Sequence, residues 1–299
     1  MRRCRRIATL VPVVALASLA TGVGAPLVAQ QPGRTVVIRT LPATPVRGSL
    51  TTLILRPTDS TEILLGVEGV ASDEPLHFER SGTFWRAFAA APLEDTDSLA
   101  VTLSVARTGR TDTVHVSLPL ATPRYPNERL RVAPKYASLD SATQARVDSE
   151  LARARDVGRR SHLGPRLWRG PFAAPRPGSV RSVFGAGRVF NGEVTSRHYG
   201  TDFAGRIGAP VRAAGRGVVA LVGNLYLAGH AVYIDHGAGL VTGYFHLSRV
   251  DVAEGDTVAR GQVIGGVGKS GRVTGPHLHW IARYGAITVD PMSLMKVGR

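Results

Sequence analysis

The chain of 299 residues contains one cysteine, Cys4. A single thiol excludes an intrachain disulfide, and any metal held away from the N-terminus must be bound by His, Asp or Glu. Lysine is also scarce, with Lys135, Lys269 and Lys296 the only three, so the formal net charge of +15 rests on arginines scattered along the chain. Aromatic residues make up 6% of the sequence. No basic block interleaved with aromatics stands out, which argues against a nucleic-acid surface. A basic surface of this kind suits anionic partners in general. Long apolar runs are missing after the first thirty residues, so no later segment reads as a membrane-spanning helix.

What is present begins at the N-terminus. Met1–Arg6 carries four arginines and no acid, and the uncharged stretch Ile7–Ala29 is rich in Ala, Val and Leu. This is the pattern of a secretory signal peptide over 1–29, with cleavage expected after Leu27-Val28-Ala29 and before Gln30. Pro12, Gly22, Gly24 and Pro26 weaken the stretch as a membrane helix; a retained anchor is the alternative. Cys4 precedes the apolar segment, whereas a lipoprotein cysteine follows it. Removal of the leader takes four arginines with it and leaves +11. The expected location is the periplasm or cell envelope.

The length suits two compact units. Between residues 33 and 122, short runs such as Thr35–Thr40, Leu50–Leu55, Thr83–Phe88, Leu99–Val105 and Asp112–Ser117 are broken by turn residues in a stretch rich in Val, Leu, Ile and Thr. They predict a small β-sandwich, immunoglobulin-like in outline. Residues 123–170 read as a helical linker, with a helix over Leu139–Arg155, Asp140 or Ser141 as N-cap and an end near Gly158. From 171 to 299 glycines are dense and the apolar segments are again β-like, which predicts an antiparallel β-sheet domain. His236-Gly-Ala-Gly239 fits a hairpin turn there. The fold class expected for the whole chain is all-β.

Six of the nine histidines follow residue 190. His198-Tyr-Gly-Thr-Asp202 and His277-Leu-His279 each place potential ligands two or four residues apart, on one face if the backbone is a strand. Two imidazoles and one carboxylate would satisfy a catalytic zinc with an open fourth position. The residues alone do not decide which of His277 and His279 would bind. His77 and His115, isolated in strand-like context, read as ordinary structural or surface histidines. His162 reads as chemically inert, and His230 and His236 as loop or rim residues.

The ordered series Val183-Phe-Gly185, Arg197–Ala204, Gly208–Ala213, Gly243–Ser248, Val258–Gly265, Thr274–His279 and Val289-Asp-Pro291 resembles the lysostaphin/LytM-type zinc endopeptidases of cell-wall metabolism, over roughly residues 179–295. The resemblance implies a β-sheet metallopeptidase domain with a narrow groove, holding one zinc ion on His198, Asp202 and His279. It also implies catalytic roles for His246 and His277, and peptidoglycan peptide stems as substrate. Ile281, two residues past His279, stands where many relatives carry an acid. The reading that follows is an exported zinc endopeptidase that cuts peptidoglycan cross-links. Its alternative is a non-catalytic relative that binds wall or activates an amidase; such proteins typically lack the ligands kept here.

Overall fold

The computed structural model describes residues 27–28, 36–94, 96–129, 139–190 and 193–296. Except for the two-residue strand Leu27–Val28, the leader expected over 1–29 lies outside the described residues, as does the residue after its expected cleavage site. The architecture is mainly β, with sheets that are antiparallel in nearly every pairing. No helix among the described residues is long and apolar enough to cross a membrane.

The first half forms two sheets. One contains the strands Val36–Leu41, Leu50–Pro57, Phe84–Ala90 and Glu79–Ser81, and the other contains Gly66–Ala71, Ser98–Arg107 and Arg110–Pro119. Alternation explains their packing: Leu99, Val101, Leu103 and Val105 are buried while the residues between them are more exposed. These side chains meet Ile38, Leu53 and Leu55 from the other sheet in one apolar cluster. The strand Gly66–Ala71 has two glycines and a glutamate in six residues, so its sequence carries little β signal.

The helix spans Ser141–Ser161, with the Asp140 side chain capping its start by accepting from Thr143 N at 2.7 Å. It continues a turn past Gly158, the expected terminator, because that glycine serves a close approach. A Cβ at Gly158 would lie 1.9 Å from Gly285 O. Val147, Ala154 and Val157 are its buried apolar residues, and Ala154 and Val157 pack with Leu221, Tyr233, Phe245 and Ile281 of the second half.

That second half is built on a large antiparallel sheet in the order Val180–Ser182, Thr201–Ala204, His277–Tyr284, Leu240–Val250, Gly229–Asp235, Gly217–Leu225, Thr257–Val258. Along His277–Tyr284 the even-numbered Leu278, Trp280, Ala282 and Tyr284 enter the main apolar core. The odd-numbered side chains face the other way. There Ile281 packs in the cluster with Ala154 and Val157 of the helix, while His277 and His279 are partly exposed. A small separate sheet lies alongside, in which Asn127–Arg129 pairs in parallel with Gly187–Phe190, itself antiparallel to Glu193–Arg197.

His162, just past the helix, ties the two halves together. Its Nε2 is 2.9 Å from Glu74 Oε2 and its Nδ1 is 2.8 Å from His77 Nε2. Glu74 Oε1 also accepts from Ala286 N at 2.6 Å, and Tyr284 Oη donates to Pro75 O at 2.7 Å. His162 is therefore far from idle structurally, though it lies outside the cluster described next.

Gly158→Ala is a decisive probe of helix docking. In a free helix the change would stabilise by about 1 kcal/mol. Here overpacking against Gly285 should destabilise by about 1–3 kcal/mol, which a urea unfolding curve would register as a lower midpoint. A raised midpoint would mean the helix is not seated.

Candidate metal centre

His198, Asp202 and His279 each offer a ligand atom, and these atoms lie within 4.8 Å of one another. His198 and Asp202 do not share one strand, as their spacing suggested. His198 follows the strand Glu193–Arg197, and Asp202 belongs to Thr201–Ala204, with a bend at Gly200 between them. A Cβ at Gly200 would come within 2.5 Å of the His279 ring, so the site needs glycine there. Register brings the others in: Asp202 pairs with His279, and His279 on its other side with Phe245. The Phe245 and His279 rings stack with centroids 5.4 Å apart.

The donor atoms converge closely. His198 Nε2 is 3.1 Å from Asp202 Oδ1 and 3.0 Å from His279 Nδ1, and His279 Nδ1 is 2.7 Å from Asp202 Oδ1. The other nitrogen of His198 faces Val183 O at 3.0 Å. A carbonyl only accepts, so Nδ1 carries the proton and the Nε2 lone pair points at the cluster. Burial pushes His279 down to about 4, so its imidazole is neutral near pH 7. Neutral imidazole nitrogens and a carboxylate oxygen aimed at one point repel one another unless a cation lies between them. This donor set fits zinc or a similar borderline divalent ion. The pocket floor is closed and its mouth open, since His198 is 1% exposed while Asp202 and His279 are 14% and 13% exposed.

His246 and His277 stand beside these three. The ring centroids of His246 lie 4.9 Å from His277 and 5.8 Å from His279. Plain alternation on Leu240–Val250 would send His246 into the core with Thr242 and Tyr244. A bulge reverses it: His246 has φ of 62°, the pairing register shifts nearby, and Leu247 takes the core position instead. Such a backbone costs of order 1–3 kcal/mol and is held by His246 N donating to Ala228 O at 2.8 Å. The side chain is fixed through Nδ1, 2.8 Å from Ser270 O. His277 is fixed alike through Nδ1, 2.8 Å from Gly275 O. Each ring thus keeps its Nε2 lone pair, and that of His277 lies 3.7 Å from Asp202 Oδ2. Burial, then the charges of His279 and His277, push His246 down to about 3.

Neither His230 nor His236 is a loop or rim residue. His230 lies on the strand Gly229–Asp235, where its N–H bonds Ser270 Oγ at 2.9 Å, steadying the residue whose carbonyl holds His246. His236 is fully buried, 2.8 Å from both Arg216 O and Thr242 Oγ1. Ser270 and Gly275 act through backbone carbonyls, which leave no mark on residue type and so give no signal in the sequence.

The class is thus a small antiparallel β domain with an open-mouthed His/Asp/His centre flanked by two more histidines. Residues 196–291 match the model of peptidase family M23, and the chain contains a peptidase domain of that family there. Among relatives, peptidoglycan DD-endopeptidase ShyA of Vibrio cholerae is 53% identical over 83 residues, covering 28% of this chain and 19% of ShyA. The DD-carboxypeptidase/endopeptidase Mpg of Neisseria meningitidis is 47% identical over 97 residues, 32% of this chain and 22% of Mpg. The match thus spans only about a fifth of these relatives. A crystal structure of an M23 peptidase from Pseudomonas aeruginosa covers 84% of this chain and 95% of its own, at 25% identity and a TM-score of 0.56.

Burial holds the pKa of His236 at about 4 against 6.5 when exposed. Its contribution is complete above pH 6.5 and declines as the unfolded chain alone takes up a proton, so stability falls from about pH 6.5 towards 4. For metal-free protein, His236→Gln should flatten that fall by up to about 3 kcal/mol. Melting temperatures measured across this range with an unchanged slope would contradict the assignment.

Proposed function

We propose that the chain is an exported zinc endopeptidase that hydrolyses peptide cross-links of peptidoglycan, with one zinc held by His198, Asp202 and His279. The observation that carries this reading is the convergence of three ligand atoms with the free Nε2 atoms of His246 and His277 beside them. The names of the relatives support peptidoglycan as substrate, and the arginine-rich, then apolar N-terminus supports export. The favoured bond is the D-alanine to diaminopimelate cross-link, as the DD-endopeptidase relatives suggest.

When bound, zinc polarises the scissile carbonyl and lowers the pKa of its water from 15.7 towards about 7. The work of the chain itself falls to His246 and His277. With Nδ1–H given to Ser270 O or Gly275 O, each ring offers one lone pair at Nε2. Burial keeps the His246 imidazole neutral near pH 7, so its Nε2 is unprotonated. One ring can therefore accept the proton of the attacking water, and the pair can hydrogen-bond the charge that builds on the carbonyl oxygen and return a proton to the departing amine. Phe245, packed on the His279 ring, keeps that ligand from turning.

Purified cross-linked muropeptides, digested and read by mass spectrometry, test the reading. Dimers should become monomers, a chelator should stop the reaction and added zinc should restore it; intact dimers throughout would refute it. His246→Ala and His277→Ala should retain zinc and lose about 10²–10⁴-fold in turnover. His198→Ala, Asp202→Ala and His279→Ala should instead lose the metal, measured as zinc per chain. Normal turnover without His246 would remove it from the mechanism.

A further inference from the structure

The proton on His198 Nδ1 has a second neighbour besides Val183 O. Ser182 Oγ lies 2.8 Å away, and the same oxygen is 2.9 Å from Glu128 Oε2. Ser182 is buried, at 9% exposure. Glu128 belongs to the strand Asn127–Arg129, which reaches this place by its parallel pairing with Gly187–Phe190. Both residues precede the family match at 196–291. The Arg188 guanidinium is attracted by both Glu128 and Asp202, so Glu128 is not a lone charge beside the cluster.

Donor and acceptor counting gives this chain a direction. An ionised carboxylate can only accept, so Ser182 must give its one proton to Glu128. Its oxygen is then left as an acceptor, and His198 Nδ1–H shares its proton between Ser182 Oγ and Val183 O. The Nε2 lone pair remains directed at Asp202 and His279, as a metal ligand needs. We infer that Glu128 is a positioning residue for the metal centre, acting through Ser182 to fix the tautomer and orientation of His198. This rests on the zinc reading above and extends it to a residue outside the shared segment. Backbone pairing already fastens the strand at three positions, Asn127 with Gly187, Glu128 with Arg188 and Arg129 with Val189. A fastening role for the Glu128 side chain would thus show in stability, whereas a positioning role shows in metal affinity.

Glu128→Gln separates the two. The amide can donate to Ser182 Oγ and release the serine proton towards His198 Nδ1, which favours the wrong tautomer while keeping side-chain volume. Zinc affinity would be measured in the full chain by competition with a chromophoric chelator, alongside melting of the zinc-free protein. Glu128→Gln and Ser182→Ala should each weaken zinc binding about 10–100-fold, with the double variant no weaker than Ser182→Ala alone. Nitrogen-15 NMR of zinc-free protein should show His198 protonated at Nδ1 in the unsubstituted chain and a second, Nε2-protonated population in Glu128→Gln. Zinc affinity within about twofold of the unsubstituted chain overturns the inference, as does an unchanged tautomer. Full additivity in the double variant, or a loss confined to melting temperature, does so too. If the unsubstituted chain binds no zinc, the functional reading itself fails, and that outcome is distinct from all of these.

Discussion

Alternation along the strand His277–Tyr284 makes one face of the sheet hold both the candidate centre and the seat of the helix. Even-numbered residues build the main core, with Trp280 and Leu278 fully buried. On the odd-numbered face Ile281 packs with helix residues Ala154 and Val157, and His277 and His279 stay partly exposed. The site is reachable because these two side chains keep some exposure. Its floor is stiff because the other side of the same strand is packed solid.

Two local exceptions to regular geometry turn this face into a centre. At Gly200 the backbone passes close enough to the His279 ring that no Cβ fits. At His246 the strand bulges, so a side chain due for the core turns to join His277. Both exceptions are strained or sterically demanding, and both are held by neighbours. Ala228 and Ser270 hold the bulge through backbone carbonyls, and His230 steadies Ser270 through its hydroxyl. Local rules are broken where the chemistry needs them broken.

Much of this was legible in the sequence, for definable reasons. The β character of both halves follows from period-two runs such as Leu99–Val105, and Asp140 announced the helix start. The five clustered side chains were legible through resemblance more than through spacing, since alternation alone sends His246 the wrong way. The helix runs past Gly158, which looks like a terminator in the sequence because its contact with Gly285 exists only in the fold. His162 and His236 looked idle or peripheral because their partners, Glu74, His77, Arg216 and Thr242, come from strands or turns that only the folded sheet brings near. Glu128 carried no signal at all, since an acid in a short strand resembles any solvated charge.

The parallel pairing of Asn127–Arg129 with Gly187–Phe190 has a consequence for the order in which the molecule is finished. It closes a loop of about sixty residues that contains the whole helix. The neighbouring strands Gly229–Asp235 and Leu240–Val250, by contrast, are joined by a turn of four residues. Long closures lose more chain entropy before any contact repays them, and they form after local hairpins. The hairpin carrying His246 can thus assemble early, while the pairing of Asp202 with His279, which closes about seventy-seven residues, and the support behind His198 come later. Competence of the centre then reports that the upstream chain has docked, much as a keystone reports that an arch is closed.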